Sequence, residues 1–261
     1  RLRPPQRMNA MTRAMWRQLR QVFEQLQADP SLRGVVVRGE AGHFCAGGDI
    51  RFFHQGAHAG DPLLEDFFTE EYNLNHLIHR YPKPYIAFMD GIVMGGGMGL
   101  SQGACLRIVT QRTQMAMPET LIGLFPDVGG GYFLSRCPGH AGEYLALTGR
   151  SLHGAEALHF GLADVCAESE QLHTLWNGLT THTWSDGQAV VQWLRTQLQA
   201  DATHAQAPDW WHSEMDSVFG LPTLLDMVQT LAQANAPWQV EALDALRQRS
   251  PLMLSLIHIS E

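Results

Sequence analysis

Two glycine-rich stretches stand where a strand would hand over to a helix. One is "HFCAGGDIRFF", His43 to Phe53, with Gly47 and Gly48 ahead of Asp49. The other is "DGIVMGGGMGLS", Asp90 to Ser101, with Gly95, Gly96, Gly97 and Gly99 at the start of an expected helix. Glycine costs roughly 1 kcal/mol in a helix interior, so such a cluster needs a geometric reason, such as close approach of the backbone to another backbone or to a ligand. Two such turns can bring two backbone N–H groups to face one point, and a helix N-terminus adds partial positive charge. That geometry stabilises an oxygen that becomes negative in a transition state; losing one such donor typically costs about 2.7–4 kcal/mol.

Phosphate loops and plain turns are the alternatives. Neither stretch fits GxxxxGK[ST], and the GxG spacing lacks the downstream acid that would hold a ribose. His54 with His58, and His76 with His79, have spacings that could be fitted to a metal. No cysteine or acidic ligand cluster accompanies either pair, so no metal site is expected. Cys45, Cys105, Cys137 and Cys166 show no CxxC spacing and sit in apolar or glycine-rich settings, which predicts small buried hydrophobes without disulfides in a reducing compartment.

The elements that would position the loops alternate. Met15, Leu19, Val22, Phe23 and Leu26 have helical spacing behind Thr12 as N-cap, with Pro30 beyond the end. "GVVVRG" reads as a buried strand, and Asp49 as the N-cap of the helix after the first glycine loop. A long helix is expected over Leu63 to His79, ended by Tyr81-Pro82-Lys83-Pro84; the strand "YIAFMDG" then leads into the second glycine loop. "LRIVT" is another strand. "MAMPETLIGLFPDVGGGYFL" reads as a loop that turns helical near Gly131, with further helices over Glu143–Leu147 and Ala155–Phe160. The alternation predicts an α/β domain with crossover helices. Beyond about Ala167, Trp176, Trp184, Trp193, Trp210, Trp211 and Trp238 fall among leucines and glutamines at helical spacings, which predicts a mainly helical second part with its tryptophans in the core.

The 261 residues, 45% of them apolar, suffice for a real core. A net charge of −8, with Lys83 the sole lysine, makes nucleic acid a poor partner. No signal-peptide pattern opens the chain and no run approaches the roughly 18 apolar residues of a membrane span, so a soluble protein is expected. "RLRPPQRMNAMT" starts without Met and with turn-like Pro4 and Pro5, as if an earlier strand had been cut away. "LSLIHISE", Leu254 to Glu261, resembles the translation of a sequencing-library adaptor and is set aside from the fold reading as non-native.

Four segments together, "HFCAGGDIR", "YPKPYIAFMDGIVMGGGMGLS", "AMPETLIGLFPDVGGGYFLSR" and "YLALTGRSLHGAEALHFGLAD", resemble the enoyl-CoA hydratase/isomerase (crotonase) superfamily. "MPET…GLFPDVGG" and "EEYNLN" resemble its 3-hydroxyisobutyryl-CoA hydrolase branch, and the likeness runs from Leu2 to about Pro251. It implies a crotonase-like ββα spiral core over residues 1–166, a mainly helical C-terminal region over 167–253 and the set-aside tail over 254–261. It also implies that the N–H groups of Gly48 and Gly96 form an oxyanion hole for an acyl-CoA thioester, that Glu119 and Asp127 are the catalytic acids, and that Glu71 contacts substrate. Relatives carry further helical sequence after the region matching "LRQRSPLML", so the chain is expected to be truncated and weakly active.

The same residues make chemical sense. Thioester hydrolysis needs a carboxylate, acting either as general base on water or as nucleophile, together with an oxyanion hole. Acids converging on one cleft push at least one pKa upward, towards acid/base work near neutral pH. Hydratases of the superfamily carry a second glutamate where this chain has Gly99, which disfavours hydration. The expected activity is hydrolysis of 3-hydroxyisobutyryl-CoA in valine breakdown, coenzyme A being part of the substrate and no cofactor being needed. An enoyl-CoA hydratase or isomerase, and a non-catalytic acyl-CoA or protein-binding member, are the alternatives. The compartment implied is the cytoplasm in a bacterium and the mitochondrial matrix in a eukaryote.

Overall fold

The computed structural model describes residues 8–198 and 207–260; Pro4, Pro5 and Glu261 lie outside them. Helix α1 (Arg13–Ala28) is capped by Thr12, whose side chain accepts from the Met15 N–H. It leads to β1 (Val35–Arg38), to α2 (Ile50–Ala59) capped by Asp49, and to α3 (Leu63–His79) over the expected span. Then β2 (Tyr85–Met89) and β3 (Ile92–Met94) precede α4 (Gly96–Ser101), while β4 (Leu106–Thr110) and β5 (Gln114–Ala116) precede a 3₁₀ turn (Glu119–Ile122) and α5 (Gly130–Leu134). After α6 (Ala141–Thr148), β6 (Leu152–His153), α7 (Gly154–His159) and β7 (Val165–Ala167), the described chain is helical: α8 (Gln171–Thr181), α9 (Gly187–Gln197), α10 (Ser213–Phe219), α11 (Leu224–Ala232), α12 (Pro237–Arg247) and α13 (Pro251–Ser260).

Successive strand pairs climb two stacked sheets, which is the expected ββα spiral. One sheet is parallel in the order β1-β2-β4-β7, with Val35 opposite Tyr85, Ile86 opposite Leu106 and Ile108 opposite Val165. The other has the order β3-β5-β6, parallel between β3 and β5 and antiparallel between β5 and β6. A parallel sheet is stable when both faces are covered. Here Ile86, Phe88, Leu106 and Ile108 pack under Leu175, Val190 and Leu194 of α8 and α9, while Tyr85, Ala87 and Met89 face the main core with Trp16, Phe23 and Phe67.

The short strands β3, β5, β6 and β7 are not legible in the sequence reading, because two or three residues give no period. The expected division at residue 166 falls inside β7, and the later helices complete both hydrophobic clusters rather than enclosing a core of their own. Of the expected core tryptophans, Trp238 is buried and the others pack half-buried against the two clusters. The set-aside tail continues α13, where Leu254 and Ile257 are buried. Cys105 departs from expectation: it is exposed, since the turn from α4 into β4 lies at the sheet's end, and Cys166 is half-buried, whereas Cys45 and Cys137 are buried. Among the described residues no helix is long and apolar enough to cross a membrane.

Helix α1 differs in one detail that bears on the site. Trp16, 0% exposed, takes the inner position with Met15 and Phe23, leaving Val22 on the outer flank at 43%. Its ring meets Phe67 of α3 edge-on at 6.4 Å and lies against Gly96. Trp16→Ala is therefore expected to cost about 3–5 kcal/mol, read as a drop in the urea midpoint; a change below about 1 kcal/mol would contradict this packing.

Candidate functional site

The two glycine loops are laced together. Cys45 N–H donates to Ile92 O at 3.0 Å, Met94 N–H to Cys45 O at 3.0 Å, and Met11 N–H to Gly47 O at 2.8 Å, so the first loop lies between the N-terminal segment and β3. A Cβ built on Gly47 would stand 3.3 Å from the Gly96 nitrogen, and one built on Gly97 would collide with the Cys45 carbonyl. Gly48 and Gly96 line one cleft of about 690 Å³. Neither of their N–H groups has a hydrogen-bond partner among the described residues.

The glycine cluster is thus a matter of room. Gly95 has φ 52° and ψ −117°, a conformation closed to other residues, and a Cβ there would lie 2.5 Å from Glu119 Oε1. A Cβ on Gly96 would run into the Glu71 carboxylate. A Cβ on Gly99 would lie 2.7 Å from Val128 Cβ and 3.0 Å from both polar atoms of the Asn75 amide. The position where hydratases hold a second glutamate is filled by neighbouring side chains.

The acids arrive from three separate elements. Glu71 sits on the buried face of α3 with Phe67, Leu74 and Ile78, at 3% exposure. Its neighbour Glu70 instead meets Arg17 at 2.7 Å and Arg20 at 3.2 Å on α1. Glu119 opens the 3₁₀ turn after Pro118 at 7% exposure, and its Oε2 is buried with no partner among the described residues. Asp127 lies in the loop before α5 and accepts a hydrogen bond from the Tyr72 phenol at 2.7 Å. Glu71, Glu119 and Asp127 all line the cleft with the two glycines, so the structure brings every sequence-predicted site residue together.

Burial raises all three carboxyls, and their clustering adds to it for Glu71 and Glu119. Burial, then the Asp127 charge, pushes Glu119 up to about 8. Burial, then Asp127 and Glu119, holds Glu71 well above the carboxylate range. Burial raises Asp127 as well, opposed by the Tyr72 hydrogen bond. Near neutral pH the cleft therefore contains carboxyls that can both take and give a proton.

Some of the surroundings were not singled out beforehand. Tyr72 follows Glu71 in "EEYNLN", the signal that could have found it. Val128 stands at φ 46°, an unfavourable left-handed conformation for a β-branched residue, and nothing in its local sequence announces this. Arg51, Phe53, Phe68, Leu121, Ile122 and Leu124 are among the remaining walls, Leu121 and Ile122 being exposed. His54 and His58 lie ring to ring at 4.7 Å, and His79 meets Tyr132 at 5.1 Å.

A family model described as enoyl-CoA hydratase/isomerase matches residues 1–260. A protein of Gallus gallus named 3-hydroxyisobutyryl-CoA hydrolase, mitochondrial, is 37% identical over 98% of this chain and 67% of its own length. Its namesake in Xenopus tropicalis is 42% identical over 90% of this chain and 59% of its own length. Among solved structures, a carnitinyl-CoA dehydratase from Mycobacterium thermoresistibile superposes with a TM-score of 0.83 at 36% identity, covering 98% of this chain and 73% of that one. An enoyl-CoA hydratase from Rhodobacter sphaeroides gives 0.81 at 35% identity, covering 96% and 71%.

Proposed function

The chain belongs to the enoyl-CoA hydratase/isomerase family, and from that premise we propose that it hydrolyses an acyl-CoA thioester, 3-hydroxyisobutyryl-CoA, to 3-hydroxyisobutyrate and coenzyme A. The observation that carries this reading is the cleft in which a buried Glu119 carboxyl faces the unpaired N–H groups of Gly48 and Gly96, while Gly99 leaves no second carboxylate on that turn. Addition of water across a double bond needs one group to activate water and another to deliver a proton to carbon. Thioester hydrolysis can return the same proton to sulfur.

The thioester oxygen accepts from Gly48 and Gly96 as the carbonyl carbon becomes tetrahedral. Ionised Glu119 either takes a proton from the attacking water or attacks the carbon itself to form a mixed anhydride that water then opens. In both routes a C–O bond forms, the C–S bond breaks and the thiolate leaves with a proton. Asp127, held by Tyr72, keeps negative charge close by, which together with burial makes Glu119 a stronger base. Coenzyme A enters as part of the substrate, and the reaction balances with water alone. The relatives with this named activity are mitochondrial; this chain would work in the mitochondrial matrix in a eukaryote and in the cytoplasm in a bacterium.

Mixing the protein with 3-hydroxyisobutyryl-CoA and following free thiol is the test. Thiol release that disappears in Glu119→Gln is expected. A change in enoyl absorbance with no free thiol would favour the hydratase or isomerase instead, and binding without turnover a non-catalytic role.

A further inference from the structure

The Gly48 N–H is aimed by the segment Met8–Met11, which precedes α1. This N–H belongs to the Gly47–Gly48 peptide, whose carbonyl accepts from the Met11 N–H at 2.8 Å. The next peptide is held by the same residue: Asp49 N–H donates to Met11 O at 2.9 Å, so that Met11 and Gly48 form a parallel bridge. In a planar trans peptide the C=O and N–H point opposite ways. With its carbonyl tied to Met11, the Gly47–Gly48 unit turns its N–H away from the N-terminal segment, to the side of the loop where Gly96 stands, a Gly47 Cβ being 3.3 Å from the Gly96 nitrogen.

Met11 can orient this peptide only if its own segment is fixed. Two anchors fix it. Ala46 N–H donates to Met8 O at 3.0 Å, and the Asn9 amide nitrogen reaches Glu40 O at 2.9 Å and His43 O at 2.6 Å, with Phe44 O at 3.3 Å. The amide thus ties the N-terminal segment to the stretch of chain that enters the first glycine loop. Met8 and Asn9 stand at φ 49° and φ 58°, two successive non-glycine residues in the left-handed region. Such a conformation persists where surrounding contacts enforce it, and asparagine tolerates it better than most residues. Met8 and Ala10 line the cleft, whereas Asn9 between them is not among its walls.

We propose that Asn9 is a positioning residue for the oxyanion hole: its amide holds the N-terminal segment so that Met11 fixes the Gly47–Gly48 peptide with the N–H facing the thioester oxygen. This rests on the acyl-CoA hydrolase reading above and adds the residue that orients one of its two donors. Because Asn9 acts from outside the cleft, loss of its amide changes the direction of a donor rather than a contact with substrate. An oxyanion donor is most effective when it needs no reorganisation in the transition state, and a misplacement of about 1 Å can cost about 10²-fold.

Asn9→Gly tests this, since glycine accepts the left-handed backbone and lacks the amide. Below the melting temperatures of both proteins, kcat for thioester hydrolysis is expected to fall by about 10–100-fold, with KM changed less than about twofold. A second readout is calorimetric binding in the Glu119→Gln background of two ligands: 3-hydroxyisobutyryl-CoA, and the S-alkyl thioether of coenzyme A with the same chain, which lacks the carbonyl oxygen. The thioester is expected to bind more tightly by about 2–10-fold, the usual margin of a neutral hydrogen bond, and Asn9→Gly to remove that margin while leaving the thioether affinity unchanged. A merely structural asparagine would weaken both ligands together or neither; that outcome, or an unchanged kcat, overturns the proposal. If Asn9→Gly does not fold, Asn9→Asp serves the same comparison, because it keeps the side-chain size and the left-handed tolerance but donates no hydrogen bond when ionised. A wild type that releases no thiol refutes the hydrolase reading, while the difference between thioester and thioether still decides the role of Asn9.

Discussion

Glu119→Gln is expected to lower kcat for thioester hydrolysis by about 10²–10⁴-fold, the usual worth of a positioned acid/base group, with KM little changed. Gln keeps the shape of the side chain but cannot ionise, and Oε2 has no hydrogen-bond partner among the described residues for the amide to displace. The reaction needs the ionised form, and burial with the Asp127 charge holds this carboxyl up to about 8. In the wild type, kcat/KM should consequently rise with pH and level off above about 8, where a carboxylate of ordinary pKa would already have levelled off near 5. A flat profile from pH 5 to 9, or near-wild-type kcat in the Gln variant, would remove Glu119 from its role.

The same shift has a sign for stability. The carboxyl ionises near 4.5 in the unfolded chain and about 8 in the folded one, so between these values the folded state binds more protons. Stability contributed by the protonated group is complete below the unfolded value and is lost as pH rises through the folded one. Glu119→Gln should thus melt at the same temperature as the wild type near pH 4 and at a higher temperature near pH 9. Activity and stability would then oppose each other at one residue, as strained catalytic groups tend to do.

Gly96→Val is expected to reduce kcat by at least about 10²–10³-fold, the range for loss of one oxyanion donor. The cause is steric before it is electronic: the first added carbon meets the Glu71 carboxylate and the Trp16 ring. Glu71 cannot retreat into α3, whose neighbouring inward positions are Phe67 and Leu74, both fully buried. The turn must open, and the Gly96 N–H leaves the point it shares with Gly48. Gly129→Ala, at a site with no neighbour within 4 Å but φ 90°, is the control for backbone strain alone. If Gly96→Val retained turnover comparable with that control, the N–H groups of this loop would have no part in the chemistry.

Much of this molecule can be read from its residues, and particular positions show where such reading stops. Thr12 and Asp49 announce their helices because a cap is a local hydrogen bond, and α3 follows from an apolar period that lasts seventeen residues. The paired glycine loops declare a close approach, since no local structure needs so many glycines. In "EEYNLN" the spacing from Phe67 to Leu74 and Ile78 already turns Glu71 inward and Glu70 outward. Composition could not say that Glu70 would find Arg17 and Arg20 on a helix some fifty residues earlier, while Glu71 would be buried beside Asp127 and Glu119. That outcome, the joining of Gly48 to Gly96 through β3, the left-handed Val128 and the reach of Asn9 to Glu40 and His43 all depend on contacts between distant segments. The strands β3, β5, β6 and β7 belong with them, because a strand of two or three residues exists only when its partner is present. Local free energies select helices, caps and turns; the charge state of a buried acid and the distance between two N–H groups are properties of the packed whole.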